Sequence, residues 1–153
     1  MKKKIFFILL LMVILLTGCD NKETVTECNY VNKQTKAGYT ITSTYTIYAK
    51  GKLVNKVEIN QVIDSENQEK LNEFETSLTS QYKTNNSLYG GYEFTSNKED
   101  NKLTFNVTID YSVLNMELFV KNNAAMKDHV NKKNKLTLEG ATKLYQSTGA
   151  VCK

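Results

Sequence analysis

Residues 39–63 read YTITSTYTIYAKGKLVNKVEINQVI, and two alternating runs within this stretch predict a β-hairpin. In the first run, apolar and aromatic residues recur at odd positions and threonine dominates the even positions, which is the two-residue period of a strand. Lys50-Gly51 interrupts the alternation, and glycine readily adopts the positive φ that a tight turn requires. In the second run, four apolar residues again share one parity: Leu53, Val57, Ile59 and Ile63. The two runs therefore predict antiparallel strands joined by a short turn.

The residues after this hairpin have helical spacing. Ser65 and Gln68 are three residues apart, as in a capping box at a helix N-terminus. Apolar residues then recur every three or four positions, at Leu71, Phe74 and Leu78. The pattern predicts a helix over residues 66–81, which the polar run at 85–87 ends.

The strand pattern then recurs over residues 92–111 and predicts a second hairpin. Tyr92 and Phe94 alternate with polar residues, and a charged turn covers 97–101. A longer alternating run follows, with its apolar side at Leu103, Phe105, Val107, Ile109 and Tyr111. The weaker pattern over 112–134 is typical of two short helices. Thr137 is placed to cap a last helix that stops near Gly149.

The order strand, strand, helix thus occurs twice, as a ββα pseudo-repeat. A sheet built from such antiparallel hairpins has one apolar face, and amphipathic helices can pack on that face and bury it. The sequence therefore predicts an α+β domain, with an antiparallel sheet of two hairpins and helices packed on one face. The expected core side carries Ile41, Tyr45, Ile47, Val57, Ile59, Phe94, Phe105, Val107 and Ile109.

The first nineteen residues have the order of a bacterial lipoprotein signal. Three lysines precede an apolar run, Ile5 to Leu16, that is too short to span a bilayer as a helix, and Leu16-Thr17-Gly18-Cys19 has the lipobox pattern. We expect cleavage before Cys19 and a lipid on its thiol. The domains are then a signal peptide (1–18), a lipidated tether (19–27) and one α+β domain (28–153). The protein would be anchored on the extracytoplasmic face of the cell membrane; an uncleaved signal anchor and an unlipidated secreted protein are the alternatives.

Lipidation of Cys19 would leave Cys28 and Cys152 as the remaining thiols, one near each end of the domain. Disulfides persist in exported proteins, so these two cysteines are predicted to form a bridge with Cα atoms within about 7 Å. Two free thiols are the alternative.

Charge and composition exclude several kinds of site. All twenty basic side chains are lysine, and removal of residues 1–18 leaves seventeen of them against sixteen acids. Clustered cations for a phosphate backbone are therefore largely missing, and no nucleic-acid partner is expected. His129 is the single histidine, which argues against a multi-histidine metal site. We predict no cofactor and no metal.

The sheet face away from the helices is the predicted binding surface. Its residues are short or polar and would hydrogen-bond a glycan or a protein partner, with Tyr48 as an aromatic anchor. The candidate residues are Thr42, Thr44, Thr46, Tyr48, Lys56, Glu58, Thr104, Asn106 and Thr108. We expect binding there to be weakly dependent on salt, because the face carries little net charge.

With these stretches in view, the precursor resembles the YehR-like family of small bacterial lipoproteins, whose function is unknown. The resemblance rests on the lipobox, the hairpin of residues 39–63, Val107-Thr108-Ile109-Asp110, and the Leu136-Thr137-Leu138 lead into the last helix. It implies an α+β lipoprotein fold without an assigned activity.

Two functional hypotheses follow. The first is a non-enzymatic binding or interaction module of the cell envelope, anchored in the membrane by its N-terminal lipid, with an envelope protein or glycan as its unknown partner. The alternative is a hydrolase or transferase that acts on envelope polymers through a carboxylate pair. The acids available for such a pair lie at turns and strand ends, at Asp64, Glu66, Glu99, Asp100 and Asp110.

Overall fold

A computed structural model describes residues 22–153. The predicted signal peptide and Cys19 lie outside these residues. The described chain forms β1 (Glu23–Gln34), β2 (Tyr39–Lys50), β3 (Leu53–Asp64), α1 (Gln68–Tyr89), β4 (Tyr92–Glu99), β5 (Lys102–Asp110), α2 (Met116–Asn122), α3 (Leu138–Ser147) and β6 (Val151–Cys152). Two 3₁₀ turns, Thr35–Ala37 and Ala124–His129, complete the connections.

The strands form one antiparallel sheet in the order β4-β5-β3-β2-β1-β6. The predicted hairpins are present as β2–β3 and β4–β5, and the pairing of β3 with β5 joins them. The helices pack on one side of this open sheet. The predicted α+β class with helices on one face is confirmed.

The expected core residues lie on the helix-covered face. Ile47, Val57 and Phe105 are fully buried, and Val107 and Ile109 are nearly so. The remaining members of the predicted set are partly buried against this core, at Ile41, Tyr45, Ile59 and Phe94. Alternation therefore identified the buried side of β2, β4 and β5, and that of β3 from Val57 onward. Before Val57 a β-bulge shifts the register, so Leu53 is 41% exposed and Val54 is buried.

β1 corrects the predicted tether. The strand begins at Glu23, so residues 23–27 are paired with β2 rather than forming a linker. Cys28 is the one fully buried residue of this strand, and most of its other side chains are exposed. The strand is held mainly by its backbone ladder to β2, and such pairing leaves little hydrophobic alternation to recognise in a sequence.

The N-terminus of α1 differs from the predicted capping box. Asn67 is the cap, since its Oδ1 accepts a hydrogen bond from Lys70 N at 3.1 Å. The hydroxyl of Ser65 instead donates to Gly38 O at 2.8 Å and accepts from Asn67 N. Ser65 therefore joins the start of the helix to the end of the β1–β2 connection.

The helix also runs eight residues beyond the predicted end, through the polar run at 85–87, to Tyr89. Tyr82 and Tyr89 in this extension contact Phe94 and Phe119, with ring centroids 5.5 and 5.1 Å apart. Aromatic packing thus outweighs the weak helix propensity of asparagine and serine. Gly90, at φ 69°, ends the helix.

The second half agrees with the weaker part of the prediction. Two short helical segments, α2 and the second 3₁₀ turn, occupy residues 116–129. Thr137 caps α3 as expected, accepting a hydrogen bond from Gly140 N at 2.9 Å. Among the described residues, no helix combines the length and the hydrophobicity that a bilayer crossing demands.

The predicted disulfide is present in the structure. Cys28 and Cys152 are bonded, with Cα atoms 3.9 Å apart. They are also direct partners in the β1–β6 pairing, which is two residues long. The bridge therefore fastens the C-terminus to the middle of β1.

Candidate functional site

The face of the sheet opposite the helices, which we call the open face, carries the polar half of each strand. Register places Thr44 of β2 beside Asn60 of β3, which lies beside Asn106 of β5. Thr95 of β4 completes this row, next to Asn106. The neighbouring row consists, in strand order, of Thr46, Glu58, Thr108 and Glu93. Four strands, from two hairpins that are distant in sequence, thus present one polar surface.

A groove of about 530 Å³ lies along these two rows. We call it the polar groove, and the polar side chains that line it are Thr44, Thr46, Glu58, Asn60, Glu93, Thr95, Asn106 and Thr108. Five of the nine predicted face residues are among them: Thr44, Thr46, Glu58, Asn106 and Thr108. The other four, Thr42, Tyr48, Lys56 and Thr104, lie on the same face beyond its lining.

Amide and hydroxyl groups of the first row are held in place by hydrogen bonds between side chains. Asn60 Nδ2 donates to Asn106 Oδ1 at 2.8 Å, and Thr44 Oγ1 donates to Asn29 Oδ1 at 2.9 Å. Asn60 and Asn106 are exposed, so each side chain still has a donor or an acceptor atom available to a ligand. The row offers oriented hydrogen-bonding groups on a rigid sheet.

Glu58 is the best-defined charge in the groove. Its two carboxylate oxygens accept hydrogen bonds from Lys56 Nζ and from Tyr48 OH, both at 2.7 Å. These bonds lower the pKa of Glu58, the lysine having the larger effect. The same contacts with Glu58 raise the pKa of Tyr48 and of Lys56. Glu58 is therefore held as a carboxylate at neutral pH.

This network also engages the side chain of Tyr48. Lys56 Nζ lies 4.1 Å from the centroid of the Tyr48 ring, so the ring is already engaged in a cation–π contact. Its hydroxyl is engaged by Glu58. Tyr48 therefore orients Glu58 at the edge of the polar groove, and its role as an aromatic anchor for a ligand stays a prediction.

The groove is more acidic than the whole face. Glu58 and Glu93 line it on either side of Thr108, and its lining includes no lysine. Lys56 compensates Glu58 from outside, whereas Glu93 takes part in no ion pair among residues 22–153. The groove therefore favours neutral or amine-bearing ligands over anions.

The other predicted acids lie outside the polar groove, and two of them, Asp64 and Glu66, line a separate cavity of about 310 Å³. Asp64 and Glu99 lie near Lys102 at the opposite end of the sheet from Asp110. Asp110 Oδ1 accepts hydrogen bonds from Ser112, which lower its pKa. Within residues 22–153, no group of three or more His, Cys, Asp or Glu side chains is arranged to hold a metal ion.

Three groove residues were missed by sequence reasoning: Asn60, Glu93 and Thr95. Their parity was available, since Asn60 follows Glu58 by two and both β4 residues alternate with the apolar Tyr92 and Phe94. Alternation within a strand does not reveal the order of the strands in the sheet. That order sets β4 beside β5 and β5 beside β3, and it brings these three residues into the groove.

Comparison with known proteins concerns the fold. No family model matches the chain, and no curated protein matches it. An NMR structure of a protein from Streptococcus pneumoniae TIGR4 aligns with a TM-score of 0.47 at 15% identity, over 90% of this chain and 88% of that one. The NMR structure of E. coli YehR aligns with a TM-score of 0.55 at 20% identity, over 86% of this chain and 91% of YehR. This last likeness shows that the chain has a YehR-like fold.

Proposed function

We propose that this protein is a lipid-anchored binding module of the cell envelope, which holds a polyhydroxylated or amine-bearing ligand, such as an envelope glycan, in the polar groove. The observation that carries the proposal is the groove itself, in which eight polar side chains from four strands converge on a face without helices. A polar surface of this kind costs little to leave in water and gives a ligand several directed hydrogen bonds.

The membrane part of the proposal rests on the sequence. Lys2-Lys3-Lys4, the apolar run and the lipobox cysteine supply the parts of an export and lipidation signal. A diacylglyceryl group on Cys19 supplies the two acyl chains that stable anchoring requires. Mass spectrometry of the mature N-terminus tests this part, and an unmodified Cys19 or an intact Met1 contradicts it.

Replacing Asn106 by lysine should weaken ligand binding by about tenfold or more, because a long cation then occupies the centre of the groove and the Asn60–Asn106 bond is lost. Thr104→Lys is the matched control, since Thr104 is on the same strand and face, two residues away, outside the groove lining. Titration calorimetry with isolated cell-wall glycan fragments measures both. Thr44→Lys and Thr42→Lys form a second pair of the same design on β2.

Three results would contradict the groove as the binding site. The first is equal loss in Asn106→Lys and Thr104→Lys, and the second is unchanged binding in Asn106→Lys. The third is a negative result in both assays: the wild type binds no glycan fragment, and a cross-linker placed at residue 106 captures no envelope protein. Circular dichroism of each variant verifies that the fold is kept.

One observation favours the second candidate, a hydrolase or transferase. Glu58 and Glu93 line one groove and are separated by a single strand, so their Cα atoms are about 10 Å apart. Carboxyl groups of inverting glycosidases are separated by roughly 6.5 to 9.5 Å, which the two flexible side chains can approach. Glu58, with its lowered pKa, would be the base and Glu93 the acid.

Glu93→Gln separates the two candidates. A binding module should retain its ligand within a few-fold and show no turnover in either form, whereas an enzyme should release reducing ends from envelope glycan and lose that activity in the variant. Glu58→Gln tests the other acid of the pair in the same assay. Turnover by the wild type that both variants abolish would replace the binding module with the enzyme.

A further inference from the structure

One end of the domain gathers lysines around Lys22, the residue before β1. Gly51 N, in the β2–β3 turn, donates to Lys22 O at 3.2 Å, and Lys50 is paired with Glu23. The segment before α3 adjoins the same turn, because Leu136 O accepts from Val54 N at 3.0 Å and Lys52 O accepts from Leu138 N at 3.0 Å. We call this the anchor end: residue 22, residues 50–53 and the loop 131–135.

The anchor end has a surplus of positive charge. Six exposed lysines belong to it: Lys22, Lys50, Lys52, Lys132, Lys133 and Lys135. None of the ion pairs among residues 22–153 involves these side chains. Of the nearby acids, Glu139 is paired with Lys143, whereas Glu23, opposite Lys50, and Asp110, which Ser112 holds as a carboxylate, each offset one of the six lysines. The anchor end therefore keeps a surplus of about four positive charges.

Exposed apolar side chains accompany the lysines. Leu53, in the anchor end, is 41% exposed, and Val113, just beyond the adjoining end of β5, is 66% exposed. Leu88, which is 50% exposed, lies in the last turn of α1, and Gly91 O after it accepts from Asp110 N at 2.8 Å. Large apolar groups interspersed with lysines are typical of surfaces that rest in the membrane interface.

The length of the chain before residue 22 indicates what covers this surface. Lys22 is three residues beyond Cys19, and three extended residues span about 10 Å. A lipid on Cys19 would therefore hold the anchor end at the headgroup layer. The opposite end of β1, at Gln34, would stand about 37 Å further out.

We propose that the anchor end lies against the bilayer, with its lysines on anionic phospholipid headgroups and Leu53 and Val113 in the interfacial layer. This inference rests on the proposed lipid anchor at Cys19. It gives the polar groove a fixed place, because Thr46 and Thr44 are four and six residues along β2 from Lys50, about 13 to 20 Å from the headgroups. A ligand bound in the polar groove would then lie at the side of the domain, close to the membrane, rather than between the domain and the bilayer.

Lysine acetylation of the full lipidated protein in vesicles tests the orientation. Vesicles of phosphatidylcholine with about 30% phosphatidylglycerol are compared with pure phosphatidylcholine, and each lysine is read by mass spectrometry. Acetylation of Lys50, Lys52 and Lys133 should slow about fivefold in the anionic vesicles, the factor expected for one lysine near an anionic surface. Lys33, Lys36 and Lys102, at the opposite end of the sheet, should react at unchanged rates.

Charge-neutralised variants provide the matched comparison. K50Q/K52Q/K133Q should lose the protection of Lys132 and Lys135, and K33Q/K36Q/K102Q should keep it. Equal protection at both ends, or protection that the first variant retains, overturns the inference. So does protection of the anchor-end lysines by isolated anionic wall polymer in the absence of vesicles, which would identify the polymer as the partner.

The N-terminal mass of the same sample separates the two proposals. A chain without diacylglyceryl on Cys19 contradicts the anchor and, with it, the orientation. A lipidated chain whose anchor-end lysines react as fast in anionic as in neutral vesicles contradicts the orientation alone.

Discussion

Replacing Cys28 and Cys152 together by alanine should lower the free energy of unfolding by about 5 kcal/mol. The bridge joins residues 124 positions apart, and in the chain-entropy model the stabilisation grows with the logarithm of the loop it closes. Alanine is preferred to serine because Cys28 is fully buried, and a hydroxyl there would add a desolvation cost. Urea denaturation monitored by circular dichroism measures the difference.

Two comparisons make this result specific to the crosslink. Wild-type protein treated with a reductant should unfold at nearly the urea concentration of the double variant, because both lack the bridge. Each single variant should resemble the double variant for the same reason. A difference below about 1 kcal/mol would show that the two-residue β6 ladder and the packing of α3 hold the C-terminus without the bond.

Gly140→Ala should lower the free energy of unfolding by about 3 kcal/mol, although alanine is the better helix former by about 1 kcal/mol. Gly140 lies in the first turn of α3 against the end of the second 3₁₀ turn. A Cβ atom there would lie 2.0 Å from His129 O and 2.6 Å from His129 C. Both contacts are with backbone, so the helix itself must move.

Ser80→Ala is the control for helix propensity. Ser80 is exposed within α1, and alanine there should raise stability by about 0.5 kcal/mol. The two variants should therefore shift the urea midpoint in opposite directions. A stabilising Gly140→Ala would mean that α3 is free to move away from His129.

Patterns that arise within one strand or one helix were predictable from sequence. The alternation of residues 39–63 and 103–111 identified the strands and, apart from the start of β3, their buried sides, since side chains that face a core are mostly apolar whatever their partners are. The Thr137 cap was recognisable because the hydrogen bond it makes is local. The cysteine pair followed from the count of thiols in a chain that was predicted to be exported.

Features that depend on a distant partner were missed or misplaced. β1 lacks clear alternation because pairing with β2 rather than core burial holds it. The end of α1 was placed too early, because Tyr82 and Tyr89 extend the helix by packing on rings that belong to β4 and α2. The contacts of Tyr48 with Lys56 and Glu58 were missed, because they depend on the register between β2 and β3.

By itself, the sequence determined the α+β class, the two hairpins, the polar composition of the open face and the cysteines available for a bridge. The tertiary structure alone decided that β3 pairs with β5, which brings Glu58 and Glu93 to either side of Thr108 and forms the polar groove. It also decided that the lysine loop 131–135 lies beside the β2–β3 turn and the start of β1. The physical reason is that alternation records the environment of each side chain, whereas strand order and loop placement depend on backbone hydrogen bonds that are common to every sequence.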